Sequence, residues 1–362
     1  MKKPRNEAPA QNMLPSELER RQIFYWLKRN SSVTAWRRVL AYYEAWVNVV
    51  LKSAQLADEK GWGNETSLPQ LEYARLQKYL AHFKTCVDRL AKGDRRVFRF
   101  SESGEFFFAG QVLSHWMQML ERIRIGENGI NNHTPLWPEF CDGVNSAAQA
   151  WGECGISLLE ERFGNDSARL PYGNWLKGEL ETVPFPAQLA PVPEPSDSIF
   201  VWSGLYVPCS GIWEPVAGPK PSLLDVLFRK PKLQPPFQVV GAMNYLHEGS
   251  GAPKIYVETA EEGIDVETTW RLLWRDDRYL DGIVPEEEAG YRFSAPNAAL
   301  PPPPIGFSVW DMTVAESDTR APTTGRWLTK PDIRVSVYLN KGERLPLYEG
   351  RSVQWLLDEI NT

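Results

Sequence analysis

One phrase is written twice in this chain. Residues 209–215 read CSGIWEP and residues 323–329 read TTGRWLT. Each is followed by a tyrosine-leucine pair, a glycine and a proline, in NYLHEGSGAPKIY (244–256) and VYLNKGERLPLY (337–348). Gly211 and Trp213 match Gly325 and Trp327 at an offset of 114; Tyr245, Leu246, Gly249 and Pro253 match Tyr338, Leu339, Gly342 and Pro346 at an offset of 93. The difference of 21 places an insertion in the first copy, where AGPKPSLLDVLFRKPKLQPPF (217–237) lies. Val201–Trp202 and Val309–Trp310 precede the two copies, and Trp270 and Trp355 follow them.

Such a phrase describes a small β-unit. Glycine permits a positive φ or a close backbone approach. A residue two places on points to the same face of a strand. A buried Trp removes a large apolar area and needs a partner for its indole N–H. The repeated Trp and Gly therefore read as core and turn residues, and two such units could bury their open faces on each other. GSGAPK (249–254) lies inside the first copy and reads as a turn.

The first half of the chain is patterned differently. SELERRQIFYWLKRN opens with Ser16 and Glu19, the spacing of a capping box. Apolar residues then recur at three and four over 34–57, 68–93, 106–129 and 139–164, as in amphipathic helices. The expected fold class is α+β: an N-terminal antiparallel helical bundle, then a β-rich domain built from the duplicated Gly-x-Trp … Tyr-Leu-x-x-Gly unit. The expected divisions are a disordered tail (1–14), a helical domain (15–183), a Pro-rich linker (184–198) and a β-rich domain (199–362). The repeats fall at about 199–275 and 305–360, with a short helix near 266–275.

Composition narrows the function classes. The four cysteines are widely spaced, with no C-x-x-C pair, which fits reduced thiols in the cytoplasm. The start has no apolar run of signal-peptide type, and no stretch approaches a membrane span. No phosphate loop, zinc-protease, nucleophile-elbow or dinucleotide motif is present. His82 and Cys86, four apart on a helix, and the exposed loop residue His133 are the leading candidates for catalytic chemistry, and a structural role suits the His82/Cys86 pair better. No catalytic, cofactor-binding or metal-binding residues are expected.

Charge is unevenly spread. Residues 1–98 hold 18 Lys/Arg against 10 Asp/Glu, whereas the chain as a whole carries −6. This asymmetry implies separate domains and a charged partner for one of them. The densest acidic stretch is 258–288, with eleven acids against three arginines. Its acids Glu258, Glu261, Glu262, Asp265, Glu267, Asp276, Asp277 and Asp281 are interleaved with Trp270, Trp274, Leu280 and Tyr279, and Glu286, Glu287 and Glu288 close it. Acids around aromatic anchors form a surface that attracts a basic partner.

The N-terminal ERRQIFYWLKRNSSVTAWRRVLAYYEAWV (19–47) and the ending TTGRWLTKPD…VYLNKGERLP…VQWLLDE (323–359) resemble the immunity proteins encoded beside polymorphic toxins. These include immunity proteins against toxins delivered by type VI secretion; the paired families are those numbered seventy-one and seventy-two. The resemblance implies a cytoplasmic antitoxin without enzymatic activity or cofactor, which binds and blocks a cognate toxin. A nuclease toxin, a DNase, fits the acidic segment, and no direct contact with nucleic acid or membrane is implied. A carbohydrate-binding protein with exposed Trp platforms is the alternative, and an undescribed enzyme is a third reading.

Overall fold

The computed structural model describes residues 14–100, 105–160, 167–195, 199–218, 233–258, 263–294, 314–329 and 335–360. The expected tail (1–14) lies almost wholly outside them, as do Val309–Trp310, the end of the Pro-rich stretch (196–198) and most of the insertion (219–232). The protein is α+β and divides into two compact units, Met1–Leu300 and Pro301–Thr362.

In the first unit, α1 (Glu17–Asn30) starts at the capping box. Ser16 N–H donates to Glu19 Oε2 at 2.8 Å, and Glu19 N–H donates back to Ser16 Oγ at 3.3 Å. Four longer helices follow: α2 (Val33–Glu59), α3 (Gln70–Leu90), α4 (Glu105–Arg124) and α5 (Trp137–Gly155). They pack in a ring, α2 on α3, α3 on α4, α4 on α5 and α5 on α2. The apolar stripes read from the sequence meet inside it; Trp36 stacks on Phe106 with ring centroids 4.1 Å apart. Helix α5 stops at Gly155 rather than near Gly164. The chain there turns so that Ser157 and Leu158 are buried. The short α6 (Asn174–Thr182) was not apparent in the sequence; it buries only Leu176 and Leu180.

The strands of this unit are β1 (Phe200–Trp202), β2 (Gly211–Val216), β3 (Asn244–Leu246), β4 (Ile255–Glu258), β5 (Gly263–Val266) and β6 (Thr269–Arg275). Four form an antiparallel sheet in the order β1-β6-β2-β3, and β4 and β5 form a separate hairpin. The expected helix near 266–275 is therefore β6, a central strand. Trp270, Leu272 and Leu273 are buried on its two faces, as a strand between two neighbours requires. One face of the sheet, with Ile212, Tyr245 and Leu273, joins the helical core; the other holds Trp213, Trp270, Leu246 and Leu272.

The second unit contains β7 (Val314–Glu316), β8 (Gly325–Thr329), β9 (Ser336–Leu339) and β10 (Gln354–Ile360), in the order β7-β10-β8-β9. Replacing β1, β6, β2 and β3 by β7, β10, β8 and β9 leaves the strand order unchanged. The register is also the same: Gly211 faces Leu246 and Gly325 faces Leu339. Trp213 faces Leu272 and Trp327 faces Leu357, with an irregularity at the same place beside each. That irregularity explains the glycine of the first phrase. A Cβ on Gly211 would lie 2.2 Å from the Trp274 carbonyl oxygen, so only glycine fits. Trp270 Nε1 donates to the Pro253 carbonyl at 2.7 Å, and Trp355 Nε1 to the Pro346 carbonyl at 3.0 Å, so the phrase's proline satisfies its last tryptophan. Pairing sets β7, Val314–Glu316, as the counterpart of Phe200–Trp202, in place of the Val309–Trp310 match read from the sequence.

Candidate partner-binding surface

Strand β6 runs through the middle of the acidic stretch and divides it. Thr269 to Arg275 spans about 20 Å at ~3.3 Å per residue. Of the described acids before it, Glu258 and Asp265 belong to the β4–β5 hairpin and Glu267 to its link with β6; those after it belong to the loop 276–288. The described site residues therefore do not form one patch. Glu258 is the last residue of β4, and Glu261 and Glu262 lie outside the described residues. Asp265 and Glu267 are exposed, and Asp265 accepts a hydrogen bond from Ser167 Oγ at 2.5 Å. Trp270 is fully buried. Trp274 is half-buried, edge-on to Phe24, with the Lys28 ammonium 5.2 Å from its ring.

Beyond β6, two residues of the predicted interface, Asp276 and Tyr279, are the foundation of the loop and not its surface. Asp276 is buried and accepts from Arg95 Nη2, from Arg278 Nε and from Tyr245 Oη, at 2.8, 2.8 and 2.9 Å. Burial alone would raise its carboxyl pKa; Arg278 and Arg95 outweigh that and hold it below the usual carboxylate range. Arg95 Nη2 also donates to the Arg278 carbonyl, and Arg278 Nη2 to Ser31 Oγ. Tyr279 is buried in the left-handed region at φ +69, accepts from Val33 N–H at 2.9 Å and donates to Glu288. Glu288, itself buried, accepts from Thr34 N–H at 3.2 Å. The loop is thus tied to α1, α2 and the Arg95 turn by side chains beneath it.

What this foundation presents is a short ridge. Leu280 is 71 % exposed and Ile283 is 65 % exposed. Asp277, Asp281, Glu286 and Glu287 are exposed around them. Asp281 accepts from Ile283 N–H at 2.9 Å, and Glu287 pairs with Lys28 at 2.7 Å. Two apolar tips, rimmed by carboxylates and held on a fixed backbone, match the anatomy of an interface anchor. Sequence reasoning named the acids and Leu280 but missed Ile283; the Asp-Gly turn before it was the available signal.

The remaining candidates are held in contacts with their neighbours. Cys86 Sγ lies 3.5 Å from His82 Nε2, but burial pushes the thiol up to about 12, far from a thiolate. His133 is stacked on Trp62 and pairs with Glu65 at 2.5 Å. Among the described residues no three metal-ligating side chains converge, and no helix is long and apolar enough to cross a membrane. The repeat tryptophans Trp213, Trp270, Trp327 and Trp355 are at most 1 % exposed, so they offer no stacking platforms. Part of the basic excess of the N-terminal part is met within its own unit: Arg20 pairs with Glu214 at 2.8 Å and Arg95 with Asp276.

Residues 14–169, which hold α1 to α5, match the family described as Immunity protein 71. Residues 191–292, which hold the first sheet and the acidic loop, match that described as Immunity protein 72. No curated protein and no solved structure matches the chain.

Proposed function

The chain belongs to the immunity proteins, with its helical bundle in family 71 and its first sheet in family 72, and on that premise we propose how it neutralises a toxin. It acts in the cytoplasm as a stoichiometric inhibitor, without turnover or cofactor, of a basic nuclease toxin, a DNase delivered by type VI secretion. The observation that carries the reading is the buttressed loop 276–288, with its carboxylates around Leu280 and Ile283. A nuclease must present cations to hold phosphates. A fixed acidic ridge attracts that cationic surface, accelerates encounter and denies it to nucleic acid. Neutralisation of this kind calls for nanomolar affinity, ~12 kcal/mol, and an interface of about 1,600 Å² in total.

The test is co-expression with the toxin open reading frame beside its gene, co-purification, and a DNA-cleavage assay at defined stoichiometry. In the triple variant Asp277→Lys, Asp281→Lys, Glu286→Lys, with Asp276 left in place, the association rate should fall at least tenfold and lose most of its salt dependence. An unchanged association rate would remove the loop from the interface. A co-purifying toxin that leaves nucleic acid intact would remove the nuclease assignment.

A further inference from the structure

The acidic loop has a neighbour of opposite charge. Gly93 lies in the turn after α3 at φ +83, and a Cβ there would lie 2.8 Å from Leu280 Cδ2 and 3.4 Å from the Arg278 carbonyl oxygen. The stretch KGDRR (92–96) therefore abuts the loop at the foot of its exposed Leu280 tip. Its two arginines differ. Arg95 is buried and donates to Asp276 and to the Arg278 carbonyl, with its guanidinium 4.8 Å from the Tyr279 ring, so it fastens turn and loop into one piece. Lys92 and Arg96 are exposed. Successive Cα atoms are 3.8 Å apart, so the backbones of these two cations stand within about 4 and 11 Å of Gly93.

Arg96 is held in a fixed pose. Its Nε and Nη2 donate to the two oxygens of Asp94, at 2.8 and 3.0 Å. Asp94 is fixed in turn by Arg89 Nε at 3.0 Å and by the Arg96 backbone N–H at 3.1 Å. Burial would raise the Asp94 carboxyl pKa, but the hydrogen bonds from Arg96 and Arg89 outweigh it and hold it down at about 2, so the fork stays charged. The Arg96 side chain is nonetheless 78 % exposed, and its Nη1 has no hydrogen-bond partner among the described residues. An ion pair this exposed contributes little to stability. What it achieves is a guanidinium with one open edge in a set position, which can grip a carboxylate with little further loss of freedom.

The surface around Leu280 thus carries both signs of charge. Asp277, Asp281, Glu286 and Glu287 rim it on the loop, and Lys92 and Arg96 rim it on the turn. The loop lies in the part that matches family 72 and the turn in the part that matches family 71, so both parts contribute to one face. A partner that fits must carry cations opposite the loop and carboxylates opposite the turn, within the roughly 30 Å breadth of a standard interface. A metal-dependent nuclease has that arrangement at its catalytic centre, where carboxylates hold the divalent cation beside the cations that hold phosphates. We propose that Lys92 and Arg96 are toxin contacts, that they pair with the carboxylates which otherwise hold the toxin's catalytic divalent cation, and that the chain therefore covers the catalytic centre itself. The proposal rests on the reading that the acidic loop binds a nuclease toxin, and it names the other half of that contact.

The full-length double variant Lys92→Gln, Arg96→Gln provides the test, with binding to the co-purified toxin domain read by surface plasmon resonance. Both side chains are exposed, so the melting temperature should match the parent. Dissociation constants are compared in EDTA and in millimolar MgCl2 at constant ionic strength. In EDTA the variant should bind at least tenfold more weakly than the parent. Mg2+ should weaken the parent at least fivefold, by competing for the toxin's carboxylates, and should leave the variant unchanged. A variant within twofold of the parent in EDTA overturns the proposal. So does a parent indifferent to Mg2+, or a Mg2+ effect of equal size in parent and variant, which would put the ion on the loop's own carboxylates. Loss of association rate in the loop variant Asp277→Lys, Asp281→Lys, Glu286→Lys, with the double variant silent, keeps the proposed function and removes only this contact. If no toxin binds the unmodified chain, the proposed function falls and this contact falls with it.

Discussion

Arg95 and Asp276 are 181 residues apart in the chain, and both are buried with Nη2 and Oδ1 at 2.8 Å. Their contact joins the turn after α3 to the first residue after β6. Removing either partner leaves a charge in the interior without its counterion, which typically costs 3–5 kcal/mol. Asp276→Ala should therefore lower the unfolding free energy by about that amount, read by urea denaturation. Asp277→Ala, one residue on and exposed, should stay within about 0.5 kcal/mol of the parent. Equal effects would show that the buried network does not support the loop.

The apolar tips should act on the lifetime of the complex, where the carboxylates act on its formation. Leu280→Ser with Ile283→Ser should raise the toxin dissociation rate at least tenfold at constant association rate, because desolvated anchors are lost only after docking. Surface plasmon resonance separates the two rates. A change confined to association would place Leu280 and Ile283 outside the contact.

Acid should weaken the fold in two stages. The His247 ring is neutral in the folded state down to about pH 4 but titrates near 6.5 when unfolded, so the unfolded state binds the extra proton. Stability is then full above pH 6.5 and falls toward pH 4, by up to about 3 kcal/mol for a shift of that size. His247→Gln, which cannot titrate, should flatten that window. Asp276 contributes in the opposite range: its folded pKa is depressed, so its share persists above the unfolded value near 4 and is lost below it. Urea midpoints measured from pH 7.5 to 3 check both stages; a profile unchanged by His247→Gln would contradict the first.

Fluorescence distinguishes core tryptophans from a binding surface. Trp26, Trp36, Trp46, Trp213, Trp270, Trp327 and Trp355 are fully buried, whereas Trp175 is 43 % exposed. Emission should lie well to the blue of free tryptophan, with little iodide quenching, and Trp175→Phe should remove much of what is quenched. A red, fully quenchable spectrum would mean that the repeat tryptophans face solvent.

Each sheet has its own tryptophan core, Trp213 and Trp270 in one and Trp327 and Trp355 in the other. Trp→Ala in a core typically costs 3–5 kcal/mol. Trp327→Ala should therefore abolish amide-exchange protection in β8 and β10 while protection in α2 and α5 persists. Loss of protection throughout would mean that the two compact units unfold as one.

The helices and the buried tryptophans follow from patterns that repeat locally. A period near 3.6 records which side of a helix meets the core, and a Gly-x-Trp at a strand end records a bulge and a buried ring. The capping box is as local as a signal can be, and Ser16 and Glu19 form it as written. Three-dimensional packing alone decided which carboxylates are available. Asp276 and Asp277 are neighbours of identical chemistry, yet one is enclosed by arginines from distant segments and the other is exposed to water. Packing also made 269–275 a strand, since its Trp-x-Leu-Leu-Trp run satisfies either period until β1 and β2 supply hydrogen-bond partners. The sequence carries the propensity of each segment and the sign of each charge. Burial, and with it the choice between a structural ion pair and a surface for a partner, depends on residues far along the chain, and only their arrangement in space brings them together.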